Sequence, residues 1–322
     1  MLRNFVAVLC YAIIASIGLA PKAHAFPDRP IRIIVPYSPG GGADIIARLI
    51  GQRLSTNIGQ PVVIDNRPGA NGNIGSDIVA KATPDGYTLL MNTIGLVFSQ
   101  SIYQKLSFNV LKDFTPVVSL AGTPYILITG PSVPVKSVAD LIALAKSKPG
   151  HLNCATVGIG SPFQMSAELF KSMAKVEMTN IPFQGGGPAV LSVIAGQTDV
   201  TFANLLAVQS FIKTGKVKAL AVTSSKRSSI MPDVPTMAES GLPGYELSGW
   251  FGIWAPAGTP RPIVEFLNRE IDVVLDEPEI RQRLERDGAE VTGGTPEDFA
   301  NYVKSEYEKW DKVVKAANIH VD

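Results

Sequence analysis

Short apolar runs rich in β-branched residues alternate with helical stripes along nearly the whole chain. That alternation limits the fold more than any other feature of the sequence. Residues 31–35, 61–65, 87–91, 117–129, 152–157, 176–183, 198–203, 217–222, 247–255 and 289–291 read as strands. Between them, periodic apolar positions such as Ile45, Ile46, Leu49, Ile50 and Leu54 read as helices. Ser137 to Asp140 and Thr295 to Asp298 have the spacing of helix-opening capping boxes. Strand followed by helix, repeated, predicts an α/β protein with parallel sheet covered on both faces. Ligands then bind at the carboxyl ends of the strands.

Three of the strand-to-helix junctions carry glycine turns. The first runs Tyr37-Ser38-Pro39-Gly40-Gly41-Gly42-Ala43-Asp44. The second is Gly158-Ile159-Gly160-Ser161, where Ser161 reads as the N-cap, Pro162 suits the first helical position and Gln164 closes the box. The third is Gln184-Gly185-Gly186-Gly187. Glycine leaves backbone N–H groups unobstructed, and a helix start adds free donors and partial positive charge. Such turns bind anions without a lysine or arginine. Asn92, Thr93, Gln164, Gln184 and Asn204 stand near strand ends as uncharged partners for an organic acid. Asp44 and Asp199 are the acids closest to these turns. Asp44 suits a helix N-terminus, while Asp199 is either a partner for a ligand amine or an anchor for its own turn.

Residues 1–25 read as a secretory signal peptide: Arg3, an apolar run from 5 to 20, and Ala23-His24-Ala25 as the cleavage pattern. The mature chain is expected to start at Phe26 in the periplasm. Its loss removes Arg3 and Lys22 and no acid, taking the formal charge from +1 to −1. That balance speaks against nucleic acid and acidic membrane as partners. Cys154 is then the one remaining cysteine, which leaves no internal disulfide, and His151 and His320 have no metal-ligand spacing around them. No metal and no cofactor is expected.

The chemistry of enzymes is poorly represented. Gly40-x-Gly42 with Asp65 about twenty residues on resembles a dinucleotide fingerprint, but Ile45 stands at its third glycine. No glycine turn continues as Gly-Lys-Ser/Thr. Gly158-Ile159-Gly160-Ser161-Pro162 has the wrong spacing for a nucleophile elbow. An exported enzyme is the weaker reading, and catalytic residues are expected to be none.

The motifs in combination resemble the Bug family, the extracytoplasmic solute receptors of tripartite tricarboxylate transporters. The likeness runs through Pro27-x-Arg29-Pro30-Ile31, the first glycine turn with Arg48, Asp65-Asn66-Arg67-Pro68-Gly69-Ala70-Asn71-Gly72 and Thr83-Pro84-Asp85-Gly86-Tyr87. It continues at Pro182-Phe183-Gln184-Gly185-Gly186-Gly187-Pro188-Ala189, Gly196-Gln197-Thr198-Asp199, Pro232-Asp233-Val234-Pro235-Thr236 and Trp250-Phe251-Gly252. It implies a type II periplasmic-binding-protein fold of two Rossmann-like lobes joined by two crossing strands. The expected division is residues 26–124 plus 224–322 for lobe one and 125–223 for lobe two.

The resemblance also implies a function. A monomer captures a small carboxylate or amino acid between the lobes and delivers it to membrane transporter subunits; presentation to a membrane signalling sensor is the alternative. Carried onto this chain, the site is residues 37–44 on lobe one, with Gly160, Ser161, Gln184, Gly185, Gly186 and, less directly, Asp199 and Asn204 on lobe two. The family pattern often has a histidine where Gln164 and Met165 stand, and a lysine or arginine where Gln184 stands. Their absence points away from a highly charged ligand such as citrate. Trp250 and Trp254 are expected in the core.

Overall fold

A computed structural model of the chain describes residues 26–316. The expected leader, with its cleavage after Ala25, lies outside the described residues, as does His320.

The chain opens with three strand–helix units: β1 (Ile31–Val35) and α1 (Gly42–Ile58), β2 (Val62–Asn66) and α2 (Asn73–Ala80), β3 (Thr88–Thr93) and α3 (Gly95–Ile102). The long strand β4 (Phe114–Thr129) follows, then α4 (Val138–Ser147). Three more units come next: β5 (Asn153–Thr156) and α5 (Pro162–Ala174), β6 (Thr179–Pro182) and α6 (Gly186–Ile194), β7 (Val200–Asn204) and α7 (Leu205–Lys213). Strand β8 (Lys218–Val222) completes this part. The chain ends with β9 (Ser248–Pro256), α8 (Arg261–Asp276), α9 (Pro278–Arg286), β10 (Glu290–Val291) and α10 (Pro296–Ala316).

The strands form one sheet in the order β2-β1-β3-β9-β4-β7-β5-β6, with β8 and β10 also on β4. β1, β2 and β3 are mutually parallel, and so are β5, β6 and β7. β4 joins the two parallel sets and is antiparallel to its neighbours. Its 16 residues exceed the usual strand length. It pairs with β9 as far as Pro124 and with β7 from Tyr125 onward. Proline has no N–H to give to a ladder, so Pro124 marks where the pairing changes hands.

Apolar packing follows these halves. Trp250 and Trp254 are buried against Phe299, with ring centroids 5.8 and 4.9 Å away. A second core gathers Phe170 and Phe202 with Met237, Leu242 and Tyr245. Tyr245 stacks on Phe202, and its hydroxyl donates to the carbonyl of Ser166 at 2.7 Å. Residues 237–245 therefore pack on the half that holds β5, β6 and β7. Before them, Ile230, Met231 and Val234 pack with the larger core, so the chain between residues 224 and 246 touches both halves. It turns back beside Leu247, whose N–H donates to the Thr223 carbonyl at 3.0 Å.

Helix α3 is absent from the sequence reading. Gly95, Leu96, Val97, Phe98, Ser99 and Ile102 are all buried, so the helix presents no polar stripe to reveal its period.

One acid in this frame sets a pH dependence. Asp272 on α8 is half-buried, and one of its carboxylate oxygens has no hydrogen-bond partner. Burial pushes its pKa up from 3.8 to about 6, and the nearby Asp276 carboxylate adds to the rise, against a backbone N–H of Gly294 that lowers it. The native state thus holds this proton more tightly than the unfolded chain. Stability is lost as pH climbs from about 4 through about 6. Asp272→Asn is expected to raise stability at pH 8 by about 1 kcal/mol, allowing for the group's partial exposure, with no gain near pH 4. Urea unfolding of both proteins at the two pH values checks it. An equal gain at both would mean that ionisation is not the cause.

Candidate functional site

Six of the strands run toward one seam, and a helix begins there after each. α1, α2 and α3 start at the carboxyl ends of β1, β2 and β3; α5, α6 and α7 start at those of β5, β6 and β7. The two edges meet. The Ser38 N–H donates to the Gln184 carbonyl at 3.1 Å, and the Ser38 hydroxyl donates to the same oxygen at 3.2 Å. The Tyr103 hydroxyl donates to the Ile159 carbonyl at 3.0 Å. Between these contacts lies a cavity of about 300 Å³, lined by Tyr37, residues 69–72 and Tyr103 on one side and by residues 157–159 and 182–184 on the other. No charged side chain lines it. The lining residues 69–72, 157–159 and 182–184 belong to turns that lead into α2, α5 and α6.

The first glycine turn is held rigidly. Gly40 adopts φ +84°, which an L side chain resists. Its N–H donates to the Asp44 carboxylate at 3.0 Å, and Asn66 Nδ2 and Arg48 donate to the same group at 3.0 and 2.9 Å. Burial alone would raise the pKa of Asp44. The bonds from Arg48, the Gly40 N–H and Asn66 outweigh it and hold the carboxyl below its ordinary value. Asp44 is thus the clasp of the turn, with Ala43 buried beside it. Asp65, the acid that a dinucleotide site would use, is taken up by Arg32 and Arg67.

Tyr37 forms a wall of the cavity. Burial pushes its phenol up to about 12, so it stays a neutral donor. Its hydroxyl donates to Asn92 Oδ1 at 2.9 Å and lies 3.3 Å from Thr93 Oγ1. Asn92 Nδ2 in turn donates to Ser76 Oγ at 3.0 Å, and Ser76 donates to the Gly72 carbonyl at 2.9 Å. Asn92 and Thr93 therefore brace the cavity from below.

Across the seam, Ser161 caps α5 by accepting from the Gln164 N–H at 3.1 Å, while Gln164 Oε1 accepts from the Gly160 N–H at 2.6 Å. Both polar groups serve the turn that carries Gly160. Gln184 lines the cavity itself. Gly41 faces Gly186: a Cβ built on Gly41 would stand 3.6 Å from the Gly186 nitrogen. One on Gly185 would stand 2.8 Å from the Ser38 nitrogen, and one on Gly187 2.6 Å from the Pro39 carbonyl oxygen. A Cβ on Gly42 would stand 2.8 Å from Asn204 Oδ1. The first and third glycine turns thus touch backbone to backbone. Asp199 lies apart. Its carboxylate accepts from the Asn153 N–H at 2.7 Å, at the start of β5 and β7. Five residues of strand separate it from Asn204, roughly 16 Å. That position fits an anchor for its own turn and leaves no contact with the cavity.

The sequence reading passed over the turn after β2. Gly69, Ala70, Asn71 and Gly72 all have positive φ, at 133, 46, 55 and 89°. For alanine and asparagine that conformation costs of order 1–3 kcal/mol each, and such strain concentrates at functional sites. The available signal was a Gly-Ala-Asn-Gly run at a strand end, since asparagine tolerates the left-handed region.

Comparison with known proteins bears on the family and the fold. The family model described as "Tripartite tricarboxylate transporter family receptor" matches residues 46–319. The chain belongs to that receptor family. Protein BugT of Bordetella pertussis is 37% identical over 306 residues, covering 94% of each chain. Among solved structures of family receptors, Rpa4515 of Rhodopseudomonas palustris with adipate is 40% identical with a TM-score of 0.89, over 92% of this chain and 99% of that one. MatC from Rhodopseudomonas palustris, with bound malate, is 36% identical with a TM-score of 0.86, over 90% of this chain and all of that one. The fold is thus that of the periplasmic binding proteins. The family is one of solute-binding receptors and not of enzymes.

Proposed function

We propose that this chain is a periplasmic receptor that takes a small dicarboxylate or related organic acid into the cavity at the seam and delivers it to a tripartite transporter. The observation that carries the reading is an uncharged cavity whose wall is built from the turns that lead into α2, α5 and α6, with Tyr37 from the turn before α1. An anion is stabilised there by N–H groups and dipoles, which suit one or two carboxylates better than the triple charge of citrate. The volume lies at the small end of ligand sites, in keeping with a short chain. The adipate and malate held by the two relatives have this chemistry.

In this reading the halves act as lobes, residues 26–124 with 247–316 and residues 125–223, with the chain between 224 and 246 against both, hinged where β4 changes partners. Ligand contacts to both lobes shift the open–closed equilibrium, and the closed form is what the membrane subunits read. Export with cleavage after Ala25 belongs to the same reading.

A thermal-shift series with the mature chain tests it. Succinate, L-malate or adipate at a hundredfold excess over its dissociation constant stabilises the native state by about 2.7 kcal/mol. For a chain of this size that is a rise of about 4 °C. Citrate is expected to do less than the best of them. No rise with any dicarboxylate, or citrate as the strongest ligand, would overturn the assignment. Delivery is checked separately, by asking whether the ligand-loaded receptor retains the membrane subunits better than the ligand-free one.

A further inference from the structure

Among the described residues, Asn71 is the buried side chain of the cavity wall that leaves a polar atom unpaired, while the Gln184 amide is exposed. The Asn71 side chain is more than nine-tenths buried. Its Nδ2 donates to Ser99 Oγ at 3.4 Å, and its Oδ1 has no donor. The backbone that presents it is held in the left-handed region by the turn from Gly69 to Gly72, and that turn is tied through Ser76 and Asn92 to Tyr37. Across the seam stand Gly158 and Gly160. A Cβ on Gly158 would lie 3.5 Å from the Asn71 nitrogen, and one on Gly160 3.5 Å from Asn71 Nδ2. A strained turn, a braced position and an acceptor left unpaired beside the cavity are three separate observations that converge on one group.

We propose that Asn71 Oδ1 accepts a hydrogen bond from the ligand, so that the receptor selects acids that carry a donor, a hydroxyl or an ammonium group, over plain dicarboxylates of the same length. The inference rests on the reading of the cavity as a carboxylate site and deepens it. A carbonyl oxygen repels a carboxylate and needs an O–H or N–H; were the amide turned, Ser99 Oγ would donate to Oδ1 and Nδ2 would face the cavity, the arrangement in which succinate binds as well as the donor-bearing acids. A site with a buried acceptor rejects the analogue that lacks the matching donor, because the acceptor is then left bare. The other cavity-lining hydroxyls do not compete for the role: Tyr37 donates to Asn92 and Tyr103 to Ile159.

Three probes of equal carbon length separate the possibilities by titration calorimetry: succinate without a donor, L-malate with a hydroxyl and L-aspartate with an ammonium group. The native chain is expected to bind malate or aspartate at least tenfold more tightly than succinate, and which of the two is tighter names the donor. Asn71→Gly keeps the left-handed backbone and removes the amide. It is expected to lower the affinity of the preferred acid at least tenfold and to leave succinate within about threefold, so that the order collapses. Asn71→Asp keeps an acceptor and adds negative charge, and is expected to weaken succinate most while sparing L-aspartate, whose ammonium group meets the new carboxylate. Equal binding of all three acids by the native chain, or a preference that survives in Asn71→Gly, overturns the proposal while leaving the carboxylate site intact. Failure of all three acids and of adipate to bind the native chain overturns both.

Discussion

Gly187→Ala is expected to bind its organic acid ten- to a hundredfold more weakly than the native receptor while folding at least as stably. A methyl at this position would stand 2.6 Å from the Pro39 carbonyl oxygen on the facing turn, closer than real Cβ atoms approach. Residue 187 lies in the first turn of α6 without a positive φ, so alanine suits its backbone. In the open receptor the substitution is harmless or gains up to about 1 kcal/mol of helix stability. In the closed receptor the rim must part, and crowding of this kind costs about 1–3 kcal/mol. That cost falls on the closed form alone. A ligand held by both lobes loses the same amount, and about 1.4 kcal/mol is a factor of ten. Gly185→Ala, with a methyl 2.8 Å from the Ser38 nitrogen, is expected to behave alike. Gly41→Ala is the control, because its methyl would find ordinary contact at 3.6 Å and should change affinity by less than about threefold. Calorimetry and urea unfolding on the three variants decide it. Undiminished affinity in Gly187→Ala would mean that these turns do not meet in the ligand-bound state.

Those glycines show what a linear reading can and cannot reach. Gly40-Gly41-Gly42 and Gly185-Gly186-Gly187 are conspicuous because consecutive glycines before a helical stripe have few uses, and both were placed on an anion site from that signal. Their direct contact is a different matter. Ser38 and Gln184 are 146 residues apart, and only the way two sheet halves fold over one another sets their distance. The turn at Gly69 to Gly72 carries a related signal, yet Ala70 and Asn71 interrupt it, so the residues read as an ordinary polar turn until their φ angles are seen. Asp44 and Asp199 were nearly indistinguishable as sequence, two acids beside glycine turns. Their fates differ because one lies at the carboxyl edge of its half and the other at the amino edge. Helix α3 and the packing of Met237 to Tyr245 escape a linear reading for different reasons. In α3 nearly every residue is buried and no polar face marks the period, whereas around Tyr245 three buried anchors, Met237, Leu242 and Tyr245, are spread through a largely exposed turn segment with no period at all.

The largest stability effect is expected at Gly252, in the strand that supports the seam. A Cβ there would stand 2.1 Å from the Phe299 ring, and the ring has nowhere to go, being wedged beside Trp250 and Trp254 at centroid distances of 5.8 and 4.9 Å. Gly252→Ala is expected to cost about 3 kcal/mol, at the upper end for overpacking, because a whole buried aromatic must shift. Phe299→Leu alone removes ring volume and is expected to cost about 1–3 kcal/mol through the cavity it leaves. The pair should cost clearly less than the sum, since each change relieves the other, and neighbours in contact show coupling of about 0.5–3 kcal/mol. Urea unfolding of the four proteins measures that coupling; strict additivity would place the crowding elsewhere. The seam gives the cycle a second readout. Gly252 pairs in register with Asn92, the brace beneath Tyr37, and its neighbour Phe251 stands 3.0 Å from where a Cβ on Gly42 would be. A strand displaced by the alanine therefore moves the floor of the cavity. Ligand affinity should fall in Gly252→Ala and recover in part when Phe299→Leu lets the strand return.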